Sequence, residues 1–308
     1  MNYIQAGRVI KLLRKKMRIT QAQLAGTRMT VETISRIENG KMPIGKANLD
    51  WIISRLGHGA KRFFPHPMTE GAFKAYELRG QFKAAAARSD KQVMEKLIGE
   101  MEALPDFKED LHRQRLLKCK ADLLKLAPSP DYVEIKALLL EAIKISIADF
   151  KPKLINTYLL TGDDQDIIGT LATVFYEEGK HDEALEMLEK LDANISRNMY
   201  DAYETARSQS FVSCLLSMYL GQQGRYEEAL AACNKGIEAG EANGAYGMLP
   251  ELNFNKAYIM YHMNDHDEVP DLLYKAYYCA LAHGNHHIAS QIKENANKIF
   301  GKRIYIKG

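Results

Sequence analysis

The chain has 308 residues, 46 % of them apolar; this is enough for two domains with their own cores, and no apolar run approaches the roughly 18 residues of a membrane span. The net charge of +3 hides an asymmetry: residues 1–66 carry thirteen Lys and Arg against Glu32, Glu38 and Asp50, a net +10, while the remainder carries 29 basic and 36 acidic residues, a net −7. A small domain at +10 attracts phosphate, and the acidic remainder is excluded as a nucleic-acid binder.

The first unit is expected over residues 1–66. Ile10, Leu13 and Met17 recur at helical spacing, which predicts a helix over 4–16 with a basic outer face. Thr20 is an N-cap, and Gln23, three residues on, completes a capping box for a short second helix ending near Gly26. Leu24 and the small Ala25 point inward. A third helix runs from about Thr30 to Asn39, with Ile34 and Ile37 buried and Gly40 as its left-handed stop. Residues 46–56 close the unit through Leu49, Ile52, Ile53 and Leu56. Two helices joined by a turn within about twenty residues are how a helix-turn-helix presents a recognition helix to the major groove of double-stranded DNA.

Gly7, Ile10, Leu13, Arg14, Thr20-Gln21, Leu24-Ala25, the run Ile34-Ser35-Arg36-Ile37-Glu38-Asn39-Gly40, and Leu49 fall in register with one pattern. On these residues the stretch 7–57 resembles the phage-repressor (Cro/Xre-type) helix-turn-helix family. Residues near the start of a recognition helix reach base edges: here Thr30, Val31, Glu32 and Thr33, with Arg36 one turn on. Val31 or Thr33 suits a thymine methyl, Glu32 suits cytosine and Arg36 suits guanine. The resemblance implies a phosphate or base contact at Gln21, and a buried structural ion pair between Arg14 and Glu38. Ser35, Lys41 and Lys46 are backbone-contact candidates, and Thr33 and Ser35 read equally well as ordinary helix surface. The segment Gly40-Lys41-Met42-Pro43-Ile44-Gly45-Lys46 mimics a phosphate-binding loop. Ala47 replaces its required hydroxyl and no strand precedes it, so no nucleotide site is expected.

Phe63-Phe64-Pro65-His66-Pro67 ends the first unit, since two prolines prohibit a continuous helix. Thr69 is placed to cap a connecting helix bearing Phe73, Tyr76 and Leu78. Residues 67–308 then read as helix pairs without any alternating strand pattern. Gly179-Lys180-His181-Asp182-Glu183-Ala184-Leu185 is echoed by Gly224-Arg225-Tyr226-Glu227-Glu228-Ala229-Leu230 and by Asn264-Asp265-His266-Asp267-Glu268-Val269-Pro270, with weaker copies near Ser89 and Pro130. Gly or Asn makes each turn, acidic residues suit the first turn of the next helix, and Ala184 and Ala229 let paired helices touch. Pro270 lies in a first turn, where it is tolerated. The pattern resembles tetratricopeptide repeats. Five pairs are expected over 71–285, with a capping helix at 286–300. The fold class is all-α: a helix-turn-helix domain followed by a right-handed superhelix of about five pairs around a concave groove.

A phage-repressor reader followed by about five such repeats resembles the Rgg/Rap/NprR/PlcR/PrgX family. That resemblance implies a homodimeric, DNA-binding transcription regulator on a palindromic operator. A short secreted and re-imported signalling peptide would bind the groove and change the spacing or order of the two DNA readers. Counting from the turn glycines, the groove positions include Gly169, Thr173, Tyr176 and Glu177 in the third pair, and Cys214, Met218, Gly221 and Gln222 in the fourth. In the fifth they include Phe254, Asn255, Tyr258, Tyr261 and His262. Arg79, Lys83 and Lys120 are basic candidates from the first two pairs. Asn255 is singled out because an amide pairs with both edges of a peptide unit; Phe254 and Tyr258 read equally as inter-helix core. Peptide-binding relatives tend to carry Asn on the first helices of the third and fourth pairs, where this chain has Gly169 and Cys214.

Little else carries chemistry. The N-terminus has no secretory apolar stretch, so a cytoplasmic location is expected. Cys119, Cys214, Cys233 and Cys279 lie far apart without C-x-x-C, which fits reduced, buried thiols better than disulfides or zinc. The clusters His262–His266 and His283–His287 lack metal-ligand spacing. No metal, cofactor or catalytic constellation is expected. Two other readings stand beside the peptide-responsive regulator: repeats that serve only dimerisation or a protein partner, and an adaptor that sequesters another protein.

Overall fold

The computed structural model describes residues 3–56, 70–108, 110–197 and 201–301. The boundary at 63–67 and the Thr69 cap lie outside these residues. The described residues contain helices, turns and no strand.

Four helices build the first unit: α1 (Tyr3–Lys16), α2 (Gln21–Ala25), α3 (Val31–Glu38) and α4 (Lys46–Arg55). The capping box on α2 has both arms. Thr20 Oγ1 accepts the Gln23 N–H at 3.1 Å, and Gln23 Oε1 accepts the Thr20 N–H at 2.7 Å, which satisfies donors the helix would otherwise leave open. Thr30 caps α3 in the same way, accepting the Thr33 N–H at 3.1 Å, so α3 starts one residue later than the sequence pattern suggests. Ile10, Leu24, Ile34, Ile37 and Ile52 are fully buried at the centre, each contributing about 1.5–3 kcal/mol. The single tryptophan, Trp51, joins them and donates its Nε1–H to the Ala25 carbonyl at 3.1 Å. Gly7 lets α1 cross α3 closely: a Cβ there would lie 2.0 Å from the Ile37 carbonyl oxygen. Arg14 and Glu38 form the expected buried pair, with Nε–Oε1 at 2.5 Å and Nη2–Oε2 at 2.9 Å.

The rest is a stack of helix pairs: α5 (Glu70–Ala87) with α6 (Lys91–Ala103), α7 (Asp110–Leu124) with α8 (Tyr132–Ser146), α9 (Gly162–Glu177) with α10 (His181–Arg197), α11 (Ala202–Gln222) with α12 (Tyr226–Asn243), and α13 (Leu249–His262) with α14 (Val269–Ala282). A final helix, α15 (His286–Phe300), covers the end of the stack. Four of the five intra-pair turns place one residue in the left-handed region: Ser89 (φ 54°), Gly179 (80°), Gly224 (75°) and Asn264 (61°). Glycine and asparagine tolerate that conformation best, which is why the turns were legible as repeats. Successive first helices touch (α5 with α7, α9 with α11, α11 with α13, α13 with α15), whereas successive second helices are spread apart. First helices therefore form the inner layer of a curved array.

The first unit sits on this array. Gln23 Nε2 donates to the Thr157 carbonyl at 3.2 Å and Thr27 Oγ1 to the Ile145 carbonyl at 3.0 Å. Leu159 is buried in the core of the first unit. Arg55, only 4 % exposed, donates from Nη2 to the Gln23 carbonyl at 2.9 Å and reaches Leu159 and Ser146 carbonyls at 3.4 and 3.5 Å. Its guanidinium lies over Trp51. Burial lowers its pKa and the nearby Asp164 carboxylate pulls it back up. Asp164 is buried and held by Ser146 Oγ at 2.5 Å, Gln114 Nε2 at 2.8 Å and the Thr161 cap. The seat is the segment between α8 and α9, with a 3-10 turn at Pro152–Thr157. Those extra residues are what lengthen the repeat spacing at that point.

Candidate nucleic-acid interface and repeat groove

The face of α3 that a helix-turn-helix offers to DNA is open. Thr30, Val31, Glu32, Arg36, Lys41 and Lys46 are exposed, and Ser35 and Thr33 are half-buried. Val31 is 48 % exposed, a cost for an apolar side chain that a thymine methyl would relieve. The seat on the repeats uses α2 and α4, so it leaves this face clear. Three candidates also have structural duties. Thr30 and Thr33 share a hydroxyl hydrogen bond at 2.9 Å, and Gln21 Nε2 donates to Glu38 Oε2 at 2.9 Å. Glu38, with 0 % side-chain exposure, thus accepts from Arg14 and Gln21 together. It fixes α1, α2 and α3 relative to one another, and with them the aim of the recognition helix.

At one end of the inner layer, α5, α7, α9 and α11 enclose a cleft of about 190 Å³ lined by Arg79, Lys83, Arg115, Lys118, Asp163 and Arg207, among others. Asp163 pairs with Arg79 at 2.8 Å and Arg115 at 3.1 Å; Arg207 pairs with Asp166 at 3.1 Å and Glu204 at 3.0 Å. Lys118 is held by Asp122 at 2.5 Å. Burial pushes the Cys119 thiol beside them up to about 12. The structure brings Arg79 and Lys83 into the cleft but not Lys120, whose Nζ lies 2.6 Å from Glu102 on α6. The strongest cations there besides Arg79, namely Arg115, Lys118 and Arg207, escaped sequence reasoning. Counting back from a turn glycine fails where α11 runs to 21 residues.

Further along, Phe211 covers Gly169: a Cβ at that glycine would lie 2.4 Å from the phenyl ring. The floor at the third pair is therefore aromatic, and the position cannot present an amide without moving Phe211. Tyr176 stacks on Tyr219 at 3.8 Å and on His181 at 4.2 Å. Thr173 Oγ1 donates to the Gly169 carbonyl at 3.3 Å. Met218 is half-buried and Gln222 exposed. Asn255 Nδ2 donates to the Cys214 carbonyl at 3.1 Å and Ser217 Oγ at 2.9 Å, so its donor side is already engaged with α11 and only its carbonyl is left for another group. Tyr258 packs beside Gly221 and lies 4.4 Å from the His262 ring, which also stacks on Tyr226 at 5.5 Å. Phe254 and Tyr261 turn instead to Phe300 of α15 and belong to the packing between helices. The described residues hold no group of three or more metal-ligating side chains in metal-binding geometry. Nor does any described helix have the length and apolarity to cross a membrane.

No protein-family model matches the chain, and no curated protein matches it in sequence. Solved structures do. PlcR of Bacillus thuringiensis, in complex with the peptide PapR7 and DNA, superposes with a TM-score of 0.63 at 16 % identity, over 93 % of this chain and 98 % of that one. ComR of S. thermophilus, in complex with DNA and its signalling peptide ComS, gives 0.53 at 17 % identity over 96 % and 99 %. The apo form of the competence regulator ComR from Streptococcus vestibularis gives 0.51 at 16 % over 97 % and 99 %. The chain shares their fold. The match runs nearly end to end in both directions, so it takes in the helix-turn-helix unit and the repeat array together.

Proposed function

We propose that this protein is a cytoplasmic, homodimeric, DNA-binding transcription regulator whose DNA affinity is set by a short peptide held in the groove of its repeats. The carrying observation is the union, in one chain, of an unobstructed basic recognition face and a curved array whose inner layer is lined by ion pairs at one end and aromatic rings further on. The two solved proteins with the highest similarity quoted above were each crystallised with DNA and a peptide, which supports extending that pairing to this chain. Thr30, Val31, Glu32, Thr33 and Arg36 read bases, with Arg36 on a guanine. Gln21, Ser35, Lys41 and Lys46 serve the backbone. Arg79, Lys83, Thr173, Tyr176, Met218, Gln222, Asn255, Tyr258 and His262 supply the groove.

The test is binding to duplexes from the DNA upstream of the gene. Affinity should fall steeply with salt, as it does when phosphate contacts release counterions. Arg36→Ala should lose about 1–3 kcal/mol at one base pair and relax specificity there. Salt-insensitive binding, or full affinity in the Arg36→Ala variant, would overturn the reading.

A further inference from the structure

Among the described residues, Glu251 differs from the acidic side chains that carry partners. Glu38, Asp122, Asp163, Asp166 and Asp192 each face a cation, and Asp164 is filled by three hydrogen-bonding neighbours. Glu251 has neither. Its Oε2 is buried with no hydrogen-bond partner. No cation offsets its burial, although it stands in the first turn of α13, where a helix N-terminus favours a carboxylate. Its charge helps to push up the thiols of Cys214 on α11 and Cys279 on α14, the latter also acted on by Lys275. A buried carboxylate oxygen without a partner costs free energy that an incoming donor recovers.

Its position says where that donor comes from. Glu251, Asn255, Tyr258 and His262 recur at i, i+4, i+7 and i+11, so they form one face of α13. Asn255 and Tyr258 place this face against α11, beside Ser217 and Gly221, on the inner layer of the array. We propose that Glu251 forms a subsite of the groove for a protonated amine. Resting on the peptide reading above, that amine is the terminal or lysine ammonium of the bound peptide. An ammonium is the matching cation, because it needs a single oxygen. A guanidinium pairs best with both oxygens of a carboxylate, and here only Oε2 is buried without a partner.

The first arm of the test uses no peptide. Benzylammonium and benzyl alcohol are titrated into the full chain at pH 7.5 and followed by ligand-observed NMR. The wild type should favour the amine by about tenfold, the factor that 1.4 kcal/mol represents. Glu251→Gln should bind the two alike. Glu251→Asp, which keeps the charge, should retain part of the preference, so a fold defect is not mistaken for a lost contact. Equal binding of the amine by wild type and Glu251→Gln would overturn the proposal. The second arm uses synthetic apolar heptapeptides with a free terminus, an acetylated terminus, or an acetylated terminus and one lysine. Loss on acetylation identifies the terminal amine, and rescue by lysine identifies the side chain. Peptides that bind equally in all three forms would also overturn the proposal. If no heptapeptide binds while the amine preference depends on Glu251, the subsite stands and the peptide reading falls.

Discussion

Single residues fix the helix-turn-helix unit and leave one carboxylate of α13 with an unpartnered oxygen. Glu38 accepts from Arg14 and Gln21 in a dry site, where removal of one partner would leave a buried charge uncompensated. The cluster of Arg14, Gln21 and Glu38 ties α1, α2 and α3 together. Glu251 is the opposite case, a carboxylate with no cation to offset its burial and one buried oxygen without a hydrogen-bond partner. Burial raises its pKa from 4.5 to about 6, so the folded chain holds this proton more tightly than the unfolded chain does. Stability is lost as pH rises from about 4.5 to about 6, and above that window the full penalty applies. Glu251→Gln is therefore expected to stabilise the chain by about 1–2 kcal/mol at pH 7.5 and to have no effect below pH 4.5. Urea unfolding at the two pH values measures this, and an equal effect at both would contradict it.

At the scale of elements, the segment between α8 and α9 does more than connect two repeats. It carries Leu159 into the core of the first unit and offers carbonyls to Arg55 and Gln23. Arg55→Ala should cost about 2–3 kcal/mol, since hydrogen bonds from a charged donor are lost. It should also free the first unit from its seat, raising the radius of gyration in solution scattering; unchanged scattering and unfolding would show that Leu159 and the hydrogen bonds of Gln23 and Thr27 hold the seat without it. Much of this architecture was legible in the sequence. Thr20 with Gln23 announces a cap, and the glycines and asparagine at 179, 224 and 264 announce turns, because these residue types answer strict backbone demands. The contact between units was not legible. Arg55 reads as one more surface cation until Ser146, Leu159 and Gln23 converge on it from distant parts of the chain. The groove was legible in part. On α13 the turn count places Asn255 and Tyr258 towards α11, but Phe254 and Tyr261 turn to Phe300, and which polar atoms are already engaged, such as the amide of Asn255, depends on side chains of the neighbouring helix. Phe211 over Gly169 is likewise a matter of tertiary packing that no local pattern encodes.

Charge differs sharply across the whole molecule, with +10 in the first unit and −7 in the array. Under the proposed function the first unit meets phosphate, and the array stays off the duplex and offers its inner layer to the peptide. The seat is made by α2 and α4 and the reading face by α3, so a change in the array has a physical route to the placement of the reader without touching its base-contacting residues. The central claim is that one chain reads DNA at one end under control from the groove at the other. Footprinting of the purified protein on its own upstream DNA, with and without the peptide fraction of spent culture medium, addresses it most directly. A protected palindrome whose extent or affinity changes when the peptide fraction is added is the expected result. A footprint indifferent to that fraction would contradict it, keeping the DNA reader and leaving the repeats to dimerisation or a protein partner.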